Sequence, residues 1–124
     1  MPSRELLRII ETQAAMDEGE RMHEEIVELL SLPRSGRGAP SLSRIEDTLM
    51  DGYAEALALE AERLRLERRL GEVARDAGGA GRELATELAA IAERISRADG
   101  RLSRLRTLLD SLRERAREIR TAAA

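Results

Sequence analysis

The chain has 124 residues, 42% of them apolar and 36% charged, with one Tyr, one His and no Phe, Trp or Cys. A formal charge of -3 gives no bulk attraction to nucleic acid or an anionic membrane, and the absence of cysteine excludes disulfides, thiolate catalysis and Cys-based zinc or iron–sulfur centres. The apolar content is almost all Leu, Ile, Val, Met and Ala, set among Glu and Arg, so the expected class is all-α.

All 21 basic residues are arginine. There is no lysine to form a Schiff base, and every cation is a planar fork suited to bidentate carboxylate pairing. No run approaches the roughly 18 apolar residues of a membrane span, and the start of the chain lacks a signal-peptide core. The expectation is a soluble cytoplasmic protein with a single helical domain.

Residues 1–32 form the acidic first segment, with eight acidic and three basic residues, and the pattern predicts helix 1 from about Ser3 to Ser31. Its apolar residues are Leu6, Leu7, Ile9, Ile10, Met16, Met22, Ile26, Val27, Leu29 and Leu30. Asp17-Glu18-Gly19-Glu20-Arg21 interrupts them, which leaves open whether helix 1 is one helix or two. Glu20 and His23 have the Glu-x-x-His spacing that places two metal ligands on one helix face. His23 is the only histidine, so a di-iron site would need its second from another chain; a Glu-rich solvated face explains the pair more simply, and no metal or cofactor is assigned.

Residues 33–40, Pro33-Arg34-Ser35-Gly36-Arg37-Gly38-Ala39-Pro40, read as a linker. Helix 2 is predicted from about Ser43 to Asp76, with Ser43-Arg44-Ile45-Glu46 as a capping box. Its seam runs through Leu42, Ile45, Leu49, Gly52, Ala56, Leu59, Arg63, Leu66, Leu70, Val73 and Ala77. Arg63 in this series is expected to snorkel and fix register, with Glu60, Glu67 or Glu87 as its partner. Met50, Tyr53, Leu57 and Leu64 lie beside the seam and widen the apolar face beyond what one partner helix covers.

Ala77-Gly78-Gly79-Ala80-Gly81 breaks the pattern, and helix 3 follows from about Arg82 to Arg120, with a frayed tail beyond. Leu84, Leu88, Ile91, Ile95, Ala98, Leu102, Leu105, Leu109, Leu112, Ala116 and Ile119 alternate spacings of four and three, a coiled-coil seam of about five heptads. Folding helices 2 and 3 about Gly78-Gly79 sets Arg63 against Ile95, Ala56 against Leu102, Gly52 against Leu105 and Leu49 against Leu109, so that small residues meet large ones. The expected fold is a long antiparallel coiled-coil hairpin with helix 1 packed on it, as an up-down-up three-helix bundle or a helix-exchanged dimer. In that arrangement the acidic stretch Asp17 to Glu28 flanks the arginines of 101–120.

The hairpin outline resembles that of factors that reach into a transcribing polymerase, a likeness of shape only. The tip holds one acid, Asp76, between Arg75 and Arg82, and the second domain usual in such factors is missing. Phosphate contacts by the arginines of helix 3 are opposed by interleaved Asp99, Asp110, Glu114 and Glu118 and by the lack of stacking aromatics. No nucleophile with a neighbouring base and no glycine-rich phosphate loop is present, and a narrow rod has no deep pocket for a small-molecule substrate, so an enzyme is not expected.

The function expected is a non-enzymatic interaction or scaffold protein. It would bind itself, as a homodimer, or an amphipathic helix of a partner, through Met50, Tyr53, Leu57 and Leu64 of helix 2 with Leu6, Ile10, Ile26 and Leu30 of helix 1. The alternatives are a transcription or nucleic-acid regulator acting through the tip or the Arg-rich helix, and a metal-storing bundle using Glu20 and His23.

Overall fold

The computed structural model describes residues 3–76 and 81–123, without the side chains of residues 9 and 11–18. The protein is an all-α helical hairpin bundle, and its described residues form three helices, α1 (Arg4–Ser31), α2 (Leu42–Asp76) and α3 (Arg82–Ala123), and include no strand. The diglycine bend, Ala77 and Ala124 lie outside the described residues, as do the side chains of Ile9, Met16, Asp17 and Glu18.

Each helix start follows from local chemistry. Ser3 caps α1, its hydroxyl oxygen accepting from the Leu6 amide at 3.2 Å. The α1 helix then runs unbroken through Gly19 to Ser31, so the polar interruption does not divide it. Ser41, not Ser43, caps α2: its Oγ accepts from the Arg44 amide at 3.1 Å and its carbonyl from the Ile45 amide at 3.1 Å. The two serines offer the same chemistry, and the earlier start winds the half-buried Leu42 into the first turn. At the other end of the chain α3 continues to Ala123, past the Arg120 limit expected from sequence.

The helices gather into two compact units. The first comprises Met1–Glu55 with Thr107–Ala124 and contains all of α1; the second is Ala56–Arg106. In the first, Ile26 and Leu29 of α1, Ile45 and Leu49 of α2, and Leu109, Leu112 and Ala116 of α3 form the buried core. Gly52 explains the close approach. Its nearest neighbours are Leu109, whose Cγ lies 3.5 Å from the position of an added Cβ, and Ile26, whose Cδ1 lies 3.7 Å from it. Contacts to α3 advance in step along α1 and the linker: Arg115 bonds the Leu30 and Leu32 carbonyls, and Arg34 pairs with Glu118 at 2.9 Å. Helices α1 and α3 therefore run in the same direction, with α2 antiparallel to both, which is the up-down-up order.

In the second unit, Ala56, Leu66, Ile91, Ala98, Leu102 and Leu105 form the buried seam between α2 and α3. Cross-helix ion pairs flank it: Arg63 to Asp99 at 3.0 Å, Arg69 to Glu87 at 3.3 Å, Arg94 to Glu62 at 3.5 Å, and Arg106 to Glu60.

Two contacts differ from the expected pairing. Gly52 faces Leu109 instead of Leu105, and Arg63 reaches Asp99 instead of lying against Ile95. Both contacts sit one turn further along α3. The size pattern permits this, because Gly52 still meets a leucine and the small buried Ala98 sits next to Asp99. Small-against-large packing is thus satisfied by more than one register, and the long arginine forks do not select one: Arg69–Glu87 and Arg94–Glu62 span close to the expected offset, while Arg63–Asp99 and Arg106–Glu60 reach further along α3.

Candidate interaction face on helix α2

Seam residues of α2 recur at three- and four-residue spacing, and Met50, Tyr53, Leu57 and Leu64 recur at three, four and seven on an adjoining stripe of the same helix. The structure leaves that stripe open: Met50 is 70% exposed, Tyr53 41%, Leu57 66% and Leu64 47%. Helix α1 does not cover it. Its apolar edge goes instead to the groove where Gly52 admits Ile26 and Leu109, since the missing side chain is the place on α2 where a third helix can approach most closely. The expectation that helix 1 covers this face is therefore corrected.

The α1 residues assigned to the same surface divide into two pairs. Leu6 and Ile10 are exposed, together with Leu7. Ile26 is fully buried and Leu30 is half-buried, so both are used within the chain's own fold and are withdrawn from the candidate surface. The physical reason is a latch that the sequence reading did not identify. Arg115 is only 8% exposed, and its guanidinium donates to the Leu30 carbonyl at 3.0 Å and the Leu32 carbonyl at 3.4 Å. Carbonyls at a helix carboxyl end lack intrahelical donors, and the buried arginine supplies them. The available signal was its position between Leu112 and Ala116, one step from the α3 seam.

Arg113, Arg117 and Arg120 of α3 are neutralised differently from the expected pattern. Arg113 pairs with Asp110 at 2.7 Å, Arg117 with Glu114, and Arg120 with Glu46 at 3.0 Å. Among the described residues no ion pair joins the carboxylates Glu20, Glu24, Glu25 or Glu28 of α1 to α3, so acids on α2 and α3 replace α1 in that role. The half-buried Arg63 donates from Nη1 to Asp99 at 3.0 Å, and its Nε lies 3.6 Å from Glu67. The bond to Asp99 and the charges of Asp99 and Glu67 hold its pKa above the ordinary arginine value. Of the three partners expected for Arg63, Glu67 is found; Glu87 pairs with Arg69, Glu60 pairs with Arg106, and Asp99 takes the main contact.

Glu20 is exposed and His23 half-buried on α1, and no group of three or more His, Cys, Asp or Glu suited to a metal ion occurs among the described residues. Asp76 is exposed at the carboxyl end of α2. No described helix is long and apolar enough to cross a membrane. Comparison with models of known protein families, with curated proteins and with solved structures finds no match.

Proposed function

We propose that this chain is a non-enzymatic interaction or scaffold protein whose recognition element is the open stripe of α2. The observation that carries the reading is the exposure of Met50, Tyr53, Leu57 and Leu64 on one helix while α1 is already docked elsewhere. Single exposed apolar residues are ordinary on protein surfaces. Four at helical spacing form a row that an amphipathic helix fits, presenting its own apolar residues at three- and four-residue intervals in coiled-coil fashion. The small exposed residues Ala54 and Ala61 lie on the same side of α2 and allow a close approach.

A photo-crosslinking residue placed at position 57 tests this, with a second at Ser96, an exposed position on α3, as control. Position 57 should give a defined adduct in cells, and Met50→Glu or Leu64→Glu in the same chain should abolish it. Equal labelling from positions 57 and 96, or an adduct indifferent to both glutamates, would overturn the proposal.

A further inference from the structure

We infer that α1 carries a second docking face, on the side turned away from its own core, and that the occupant is a basic amphipathic helix of a partner protein. The observation is a change of character along one line of the helix. At 3.6 residues per turn, residues eighteen apart lie on the same side of an α-helix, about five turns on. Leu6, Leu7 and Ile10 therefore stand in line with Glu24, Glu25 and Glu28, and all six are exposed. The helix is unbroken from Arg4 to Ser31, so the two stretches share one outward side. Met22, Ile26, Leu29 and Leu30, which are buried or half-buried, lie on the other side, Ile26 about 160° round the helix from Ile10. While α1 keeps that seat, the outward row cannot enter the same core.

The charges on that row select its occupant. Glu24, Glu25 and Glu28, with Glu20 at the margin, have no ion-pair or side-chain hydrogen-bond partner among the described residues, and Arg21 is the one cation on the outward side of these last turns. Arg4, Glu5 and Arg8 precede Met22, His23 and Ile26 by the same eighteen residues, so they lie on the opposite side from the row. The outward side is thus apolar in its first turns and acidic in its last. A second copy of this face does not fit it. Pairing the two in parallel sets carboxylates against carboxylates, and pairing them antiparallel sets carboxylates against Leu6, Leu7 and Ile10. Nor do the acids converge on a metal, since no group of three or more suited to one occurs among the described residues. A helix with leucine-like residues at one end and arginine or lysine at the other satisfies both halves at once. The row from Leu6 to Glu28 is about 33 Å long, the length of about six helical turns.

The test uses the full chain and two labelled synthetic helices of about six turns. Both carry the same leucine row at one end; along the other end one carries arginines and the other glutamates. Fluorescence anisotropy should show the arginine helix binding at least about tenfold more tightly than the glutamate helix, and weakening as salt is raised. Glu24→Arg with Glu28→Arg, and separately Leu6→Glu with Ile10→Glu, should each weaken it by about tenfold or more. All four positions are exposed, so circular dichroism melts of both variants should match wild type. Met50→Glu on α2 should leave this binding unchanged, which separates the α1 face from the α2 stripe: either can fail while the other stands. No binding of the arginine helix, equal binding of the two helices, or a loss caused by Met50→Glu overturns the inference. So does a charge reversal that acts while the Leu6 and Ile10 changes do not, since that is counter-ion attraction without a docked face.

Discussion

The two units build their seams from the same kinds of residue and bury them to different depths. Where α1 joins α2 and α3, Ile26, Leu29, Ile45, Leu112 and Ala116 lie at 0–1% exposure, with Leu109 at 2% and Leu49 at 7%. Between α2 and α3 alone, Leu102 at 2% and Leu105 at 5% are the most enclosed, Leu66, Ile91 and Ala98 remain at 6–7%, and Leu59, Leu70, Val73, Leu84, Leu88 and Ile95 are only half-buried. Two helices cover one stripe of each other and leave its margins wet, whereas a third closes the margin. The polar contacts follow the same division. The two-helix unit is laced by exposed ion pairs, and the three-helix unit holds a buried guanidinium on a helix end.

Core truncation is the strongest way to break this comparison. Ile26→Ala should destabilise the fold by about 3–4 kcal/mol in urea denaturation and Leu66→Ala by about 2 kcal/mol, because a fully enclosed site collapses less around the cavity. Equal losses at the two positions would show that the third helix does not set the depth of the core.

The next contrast is between the two seam arginines. Arg115→Met keeps an apolar stem but leaves the Leu30 and Leu32 carbonyls without their donor, a loss of about 2 kcal/mol, with faster amide exchange in the last turn of α1. Arg63→Met removes a solvent-screened pair and should leave the thermal midpoint near wild type. A large drop for Arg63→Met, or none for Arg115→Met, reverses the assignment of which arginine is structural.

Two glycines of α2 sharpen the comparison further. A methyl at Gly52 overlaps the Leu109 side chain, so Gly52→Ala should cost on the order of 1 kcal/mol net of its gain in helix propensity. At Gly71 the nearest obstacle is the mobile end of Arg75, with Nη2 3.3 Å away, and Gly71→Ala should stabilise by about 0.5–1 kcal/mol. Thermal melts that rank them the other way would displace α1 and Leu109 from the Gly52 groove. The smallest effect on the fold is expected at Leu57: Leu57→Glu should change melting by less than about 0.5 kcal/mol in the monomer while abolishing association. A substantial loss of monomer stability would mean that the stripe is covered within the chain.

Much of this was legible from periodicity. Every described member of the two seam series, from Leu42 to Val73 and from Leu84 to Ile119, is buried or half-buried. Met50, Tyr53, Leu57 and Leu64 could be separated from the α2 seam because a helix assigns each position an angle that depends only on spacing. Periodicity cannot set the offset between two helices, since Gly52 finds a leucine at either Leu105 or Leu109. It also could not foresee the use of Ile26 and Leu30: their apolar character is local, while the groove that receives α1 exists only once Gly52 and Leu109 meet. Arg115 was obscure for the same reason, because its partners are backbone carbonyls more than eighty residues away.

The sequence by itself determined the three described helices, their limits at the Pro/Gly linker, near Asp76 and near Arg82, and which stripe of each helix is apolar. These are local consequences of propensity and spacing. The tertiary structure decided the register of α2 against α3, the seat of α1, and which apolar stripe was left open. Those outcomes depend on which small residue admits which large one and which charges then fall within reach, and both are properties of assembled surfaces.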